Sequence, residues 1–142
     1  MIIADTNIVS ELMRMKPARN VRSWCENVKG SELAISVVTI EEIERGLMLL
    51  AAGQRRDALE SAWQRFTEHF SARVVDYTAD AARETARIEV ESMRAGRPMQ
   101  LADAQIAGMC VAHGAALATR NTRDFQNVPG LELIDPFVHG AG

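Results

Sequence analysis

Short apolar runs separated by segments of helical period dominate this sequence, and that alternation restricts the fold more than any other feature. Met1 to Ala4, Leu33 to Val38, Val74 with Val75, Ala115 to Thr119 and Leu131 to Ile134, just before Pro136, read as strands. Between them, a helix is expected from about Asn7 through Arg14, interrupted by Pro17 and resumed from Val21 to Val28, with Trp24 on its apolar side and Gly30 beyond. From Thr39 a stripe of Ile40, Ile43, Leu47 and Leu50 marks another helix, with Gly53 as its stop. Further helices are expected over Arg55 to Phe70, Ala79 to Arg94 and Leu101 to His113. "AGRP" reads as a loop and "RNTRDF" as a polar connection. Strands alternating with helices predict an α/β fold with a mostly parallel sheet. The length of 142 residues suits one domain, 1–142, and no internal repeat or low-complexity tract interrupts it.

The hydrophobic fraction of 47% and charged fraction of 25% are those of an ordinary globular chain, which argues against disorder. No charged segment followed by a long apolar stretch opens the sequence, and no apolar run reaches membrane-spanning length, so a cytoplasmic protein away from membranes is expected. Cys25 and Cys110 are far apart and lack metal-ligand spacing; each reads as a small buried hydrophobe. A net charge of −3 excludes nucleic-acid binding by bulk basicity, although cations held by clustered carboxylates would offset it locally. Of sixteen basic residues only Lys16 and Lys29 are lysines, both early, whereas arginines continue to Arg120 and Arg123.

Four acids stand out. Asp5 follows the first strand, where ligands collect in open α/β sheets, yet Asp-Thr-Asn is also a favoured helix start, and taken alone the tripeptide favours the cap. Glu42 in "TIEEIERG" completes a capping box with Thr39, or else uses its place beside the apolar stripe and the open space at Gly46. Asp103 in "LADAQIAGMC" shares a helix face with Ala107 and Cys110, beside Ile106, where a lone ionised carboxylate is costly; the alternative is a wetted first-turn acid. Asp124 lies beyond the strand ending at Thr119 and either reaches the same sheet edge or pairs with Arg120 or Arg123. Asn121 is a turn former or a polar ligand that orients water.

In order and spacing, "ADTN", "TIEEIERG", "LADAQIAG" and "LATRNTRDF", followed by "IDPF", resemble the PIN-domain family, especially its VapC-like ribonuclease toxins. The resemblance covers nearly the whole chain. It implies a three-layer α/β/α fold, places Asp5, Glu42 and Asp103 in an acidic cluster, and adds Asp124 as a further ligand, with Asn121 as another candidate. Thr6, Asn7 and Thr119 match small polar positions lining the same pocket. The implied activity is Mg²⁺- or Mn²⁺-dependent cleavage of RNA, and hard carboxylate oxygens without a Cys or His cluster suit those ions better than zinc. Arg120 or Arg123 could steady the phosphate chain, and His69, His113 and His139 have no motif around them. A small antitoxin partner is implied, with an arginine able to enter the pocket, as is a larger assembly on DNA in which the antitoxin does the DNA binding. A homodimer is also implied. The stripe of Leu59, Trp63, Phe66 and Phe70 reads as core or subunit contact, and with Met48 it supplies the candidates for self-association.

Two other classes compete. An aspartyl phosphoacceptor domain also places an Asp after its first strand, but phosphatases of that kind need a second Asp where Asn7 stands, and both kinds use a late lysine that is missing after Lys29. A non-catalytic binding module would use the same acids to dock a partner's arginine.

Overall fold

The computed structural model of the protein describes residues 1–28, 32–70 and 73–140, apart from the side chain of Phe70. The expected stop at Gly30 and the Phe70 end of the aromatic stripe therefore lie outside the described residues.

Five strands form one sheet: β1 (Ile2–Ala4), β2 (Leu33–Ser36), β3 (Val74–Val75), β4 (Ala116–Ala118) and β5 (Leu133–Ile134). They lie in the order β3-β2-β1-β4-β5, and every pairing is parallel. Ile3 sits opposite Ala34 and Leu117, so β1 is central and buried on both faces, which is why it is apolar without alternation.

The pleat divides these strands between two cores. Ile3, Ala34, Val75 and Leu117 face one side, where they pack with Ile88, Ala104, Ile106, Met109 and Phe125. Ala4, Leu33, Ile35 and Ala118 face the other, against Ile8, Val21, Trp24, Ile43, Leu47 and Trp63. The first side is covered by α5 (Ala79–Arg94), α6 (Leu101–His113) and the short α7 (Thr122–Phe125). The second is covered by α1 (Thr6–Leu12), α2 (Arg19–Asn27), α3 (Val37–Leu49) and α4 (Gln54–Phe70). The result is the three-layer α/β/α architecture that the sequence implies. Among the described residues no helix is long and apolar enough to cross a membrane.

Several local expectations change. Strand β2 ends at Ser36, two residues early, because the Ser36 hydroxyl accepts the Thr39 amide at 3.1 Å and caps α3 itself. Thr39 is thus the third residue of the helix, fully buried, and the proposed capping box with Glu42 does not form. Helix α3 closes at Leu50 rather than Gly53. The "RNTRDF" connection contains a helix, α7, that is too short to show a period. In the aromatic stripe Trp63 is buried and stacks on Phe66 with ring centroids 6.0 Å apart, while Leu59 and Phe66 pack against the same core. The described part of that stripe therefore contributes to the chain's own core, with Leu59 and Phe66 only partly buried.

Helices α5 and α6 approach each other at Gly108. A Cβ added there would lie 2.2 Å from Thr85 Oγ1, 2.8 Å from the Ala81 carbonyl oxygen and 2.9 Å from the Thr85 amide nitrogen. Only glycine permits this spacing, and Thr85 completes the seam by donating its hydroxyl to the Ala81 carbonyl at 2.8 Å.

Candidate active site

The sheet order reverses about β1: the chain moves from β1 to β2 and β3 on one side, then returns to place β4 on the other. The crevice outside the carboxyl ends of β1 and β4 is where such a topology leaves room for a ligand. Asp5 follows β1 there, and its amide donates to the Ala118 carbonyl at the end of β4, at 2.9 Å.

A cleft of about 660 Å³ opens at this point, and its lining includes Asp5, Glu42, Asp103 and Asp124 together. Thr6, Asn7 and Asn121 line it as well. Of the eight positions singled out from the sequence, only Thr119 does not; it is fully buried, and its hydroxyl oxygen accepts the Asn121 amide at 3.0 Å.

Each carboxylate arrives on a different segment. Asp5 is 6% exposed and does cap α1, its Oδ1 accepting the Ile8 amide at 3.0 Å. The cap and pocket readings are therefore both true: one oxygen serves the helix while the side chain faces the cleft. Glu42 projects from the second turn of α3 and accepts the Thr6 hydroxyl at 2.6 Å. Behind it, Thr6 Oγ1 lies 3.1 Å from Thr39 Oγ1, and the Ser36 hydroxyl points to Thr39 over a longer 3.5 Å. With Thr6 donating to Glu42, Thr39 must donate to Thr6, so these hydroxyls are oriented in series toward the carboxylate. Past Glu42, a Cβ at Gly46 would meet nothing within 4 Å, the open space expected there. Asp103 is half-buried in the first turn of α6, and Asp124 is exposed on α7.

The electrostatics record their proximity. Burial pushes the Asp5 carboxyl above its usual range and the charge of Glu42 adds to the rise, against hydrogen bonds with Thr119 and the Ile8 and Asn7 amides. Asp103 is raised first by burial, then by the charges of Glu42, Asp124 and Asp5. None of the ion pairs among the described residues involves any of these four acids. The alternative pairing of Asp124 with Arg120 or Arg123 does not occur, and Arg120 stacks over the Phe137 ring at 4.2 Å, outside the cleft lining. Arg123 does line it.

Among the described residues, no three His, Cys, Asp or Glu side chains lie close enough together to hold a metal ion by themselves. The four carboxylates line one cleft without converging on a point, and their hard oxygens are donors of the kind that suits a small divalent ion keeping part of its water shell. No histidine lines the cleft, and Cys110, whose thiol burial pushes up to about 12, stays protonated and unreactive beneath it. The cleft lining also includes Arg97, Gln100 and Asn127, which the sequence reading passed over as parts of connections. The glycine in "AGRP" was the available clue to the first of these, since it marks how α5 ends.

The sequence pattern of the PIN domain matches residues 2–131. The chain is 33% identical over 138 residues to the VapC ribonuclease Y4jK of Sinorhizobium fredii, covering 96% of this chain and 98% of that protein. It is 36% identical to the tRNA(fMet)-specific endonuclease VapC of Shigella flexneri, covering 92% and 94%. In three dimensions it resembles the DNA-bound VapBC structure from Salmonella typhimurium, with a TM-score of 0.79, 29% identity and coverage of 95% and 97%. Sequence pattern, overall likeness and the strand-edge placement of the acids agree: the chain belongs to the PIN-domain family, in its VapC-like branch.

Proposed function

We propose that this protein is a metal-dependent endoribonuclease, the toxin of a toxin–antitoxin pair, which hydrolyses RNA phosphodiester bonds. The observation that carries the proposal is the convergence of Asp5, Glu42, Asp103 and Asp124 on one cleft, none of them in an ion pair among the described residues. Like charges gathered at a half-buried edge are unfavourable unless a cation joins them, and carboxylates are the donors that Mg²⁺ and Mn²⁺ prefer.

In this reading the four acids hold the ion, and Thr6 fixes the Glu42 carboxylate through its 2.6 Å hydrogen bond. Asp5 is held by the α1 amide at Ile8 while its side chain lines the cleft. When bound, such an ion would supply Lewis acidity and would lower the pKa of a water held beside these acids. Asn7 and Asn121, neutral and exposed at the mouth, orient water and ribose hydroxyls, and Arg123 balances phosphate charge. Neither Cys110 nor any histidine takes part.

Two relatives bear the names VapC ribonuclease and tRNA(fMet)-specific endonuclease, which supports RNA, and structured transfer RNA in particular, as the substrate class. The VapBC likeness supports a small antitoxin as partner, with the pair rather than this chain alone meeting DNA. A homodimer belongs to the same proposal; the surface still available for it includes Met48 and Leu49, 68% and 80% exposed at the end of α3. Incubation of the purified chain with total transfer RNA in Mg²⁺ tests the central claim. Discrete fragments that vanish with EDTA are expected, and persistence of intact RNA in Mg²⁺ and Mn²⁺ alike refutes it.

A further inference from the structure

Cleavage needs more than an acidic cluster, because the clustered charge repels the strand it must cut. Arg97 lines the same cleft as the four acids. It is exposed, and it joins none of the ion pairs among the described residues, whereas Arg83 and Arg87 on the preceding helix are both tied to acids of their own helix. A cation beside uncompensated carboxylates that still does not pair with them is available for a ligand.

Its position is also built. Helix α5 ends in a left-handed turn at Gly96, φ +74°, where the Gly96 amide donates to the Met93 carbonyl at 3.0 Å and the Arg97 amide to the Ser92 carbonyl at 2.9 Å. The Ser92 hydroxyl then accepts the Met99 amide at 3.3 Å, and Met99 packs against the core. Pro98 fixes one backbone angle between these anchors. The backbone of Arg97 is thereby held on both sides, while its side chain keeps the cleft.

We propose that Arg97 is a phosphate-binding residue, which engages the RNA strand beside the cleaved bond and offsets the repulsion of the acidic cleft. This rests on the nuclease reading above and adds a residue to it. Guanidinium is the suitable group, since it presents a planar fork to phosphate oxygens and stays charged throughout.

The test uses Arg97→Gln and Arg97→Lys, with Arg22→Gln, an exposed residue of α2 outside the cleft, as the charge-matched control. Binding is read by anisotropy of a fluorescein-labelled single-stranded oligoribonucleotide of mixed sequence, in an Asp5→Asn background that prevents turnover. Arg97→Gln is expected to weaken binding about tenfold and to flatten the dependence of log affinity on log salt by about 0.7, the loss of one phosphate contact on a single strand. Arg97→Lys should keep the salt slope and part of the affinity, and Arg22→Gln should match its parent. In the otherwise unaltered chain, Arg97→Gln should raise KM for total transfer RNA about tenfold while kcat stays within about twofold. Unaltered affinity and slope in Arg97→Gln, with the parent still cleaving, overturn the assignment of Arg97 alone. A parent that neither binds nor cleaves RNA overturns the nuclease reading, and this inference with it.

Discussion

Thr6, the first residue of α1, donates its hydroxyl to Glu42 on α3 at 2.6 Å, so a cleft carboxylate is aimed by a helix 36 positions away in sequence. The bond costs Thr6 no other partner, because Thr39 supplies a hydrogen to one of its two lone pairs at 3.1 Å. Removing the support of a metal-binding side chain typically lowers affinity or activity about 10–100-fold. Thr6→Val should therefore raise the Mg²⁺ concentration needed for half-maximal RNA cleavage by about that factor, and Thr6→Ser should restore it. A Mg²⁺ titration of cleavage rate that is unchanged in Thr6→Val would remove Thr6 from the proposed mechanism.

Asp5→Asn and Asp103→Asn should both lower Mg²⁺-dependent cleavage by more than about 100-fold, since each removes a ligand and not merely a ligand's support. Folding should survive in both. Asn keeps the side-chain oxygen that accepts the Ile8 amide and is as good a cap as Asp, so α1 retains its start. Circular dichroism with a cleavage assay on the same preparations separates loss of chemistry from loss of structure.

The raised carboxyls link stability to pH. Asp5 and Asp103 bind protons more tightly folded than unfolded, so the stability they contribute is full below their unfolded value of 3.8 and is lost as pH rises through the higher folded values. In EDTA, Asp103→Asn and the parent should melt at similar temperatures near about pH 4, with the variant increasingly the more stable toward about pH 7. Mg²⁺ should shrink that gap at neutral pH by stabilising the ionised parent. Thermal scans across pH, with and without the ion, read this directly; a parent more stable than Asp103→Asn at neutral pH in EDTA contradicts it.

Gly108→Ala should destabilise the protein by about 1–3 kcal/mol, the usual cost of overpacking. Its Cβ would meet backbone atoms of Ala81 and Thr85 as well as the Thr85 hydroxyl. Adding Thr85→Ala would remove only the hydroxyl clash, so the double variant should remain less stable than the parent in urea unfolding.

How much of this was legible in the sequence depended on length scale. The strands, six of the helices and the acidic set could be read because their signals are local: a two- or 3.6-residue period, or an acid at a strand's end. Val37 and Val38 misled because β-branched residues suit strands, whereas Ser36, one position before them, offered a better cap and started α3 sooner. Helix α7 carries too few residues to show a period. The role of Trp63 turned on whether α4 lies against α3 and the sheet, a tertiary fact that no stripe encodes. Arg97 was legible only as the residue after the glycine that ends α5; its place in the cleft depends on α5 and α6 folding back on one another, with the end of one helix beside the start of the next.

The four candidate ligands in the cleft stand at positions 5, 42, 103 and 124, on segments that meet only when β4 has docked beside β1 and α7 has closed over the sheet edge. If these four act together as proposed, activity is expected to appear only once all four segments have docked, and not in stages.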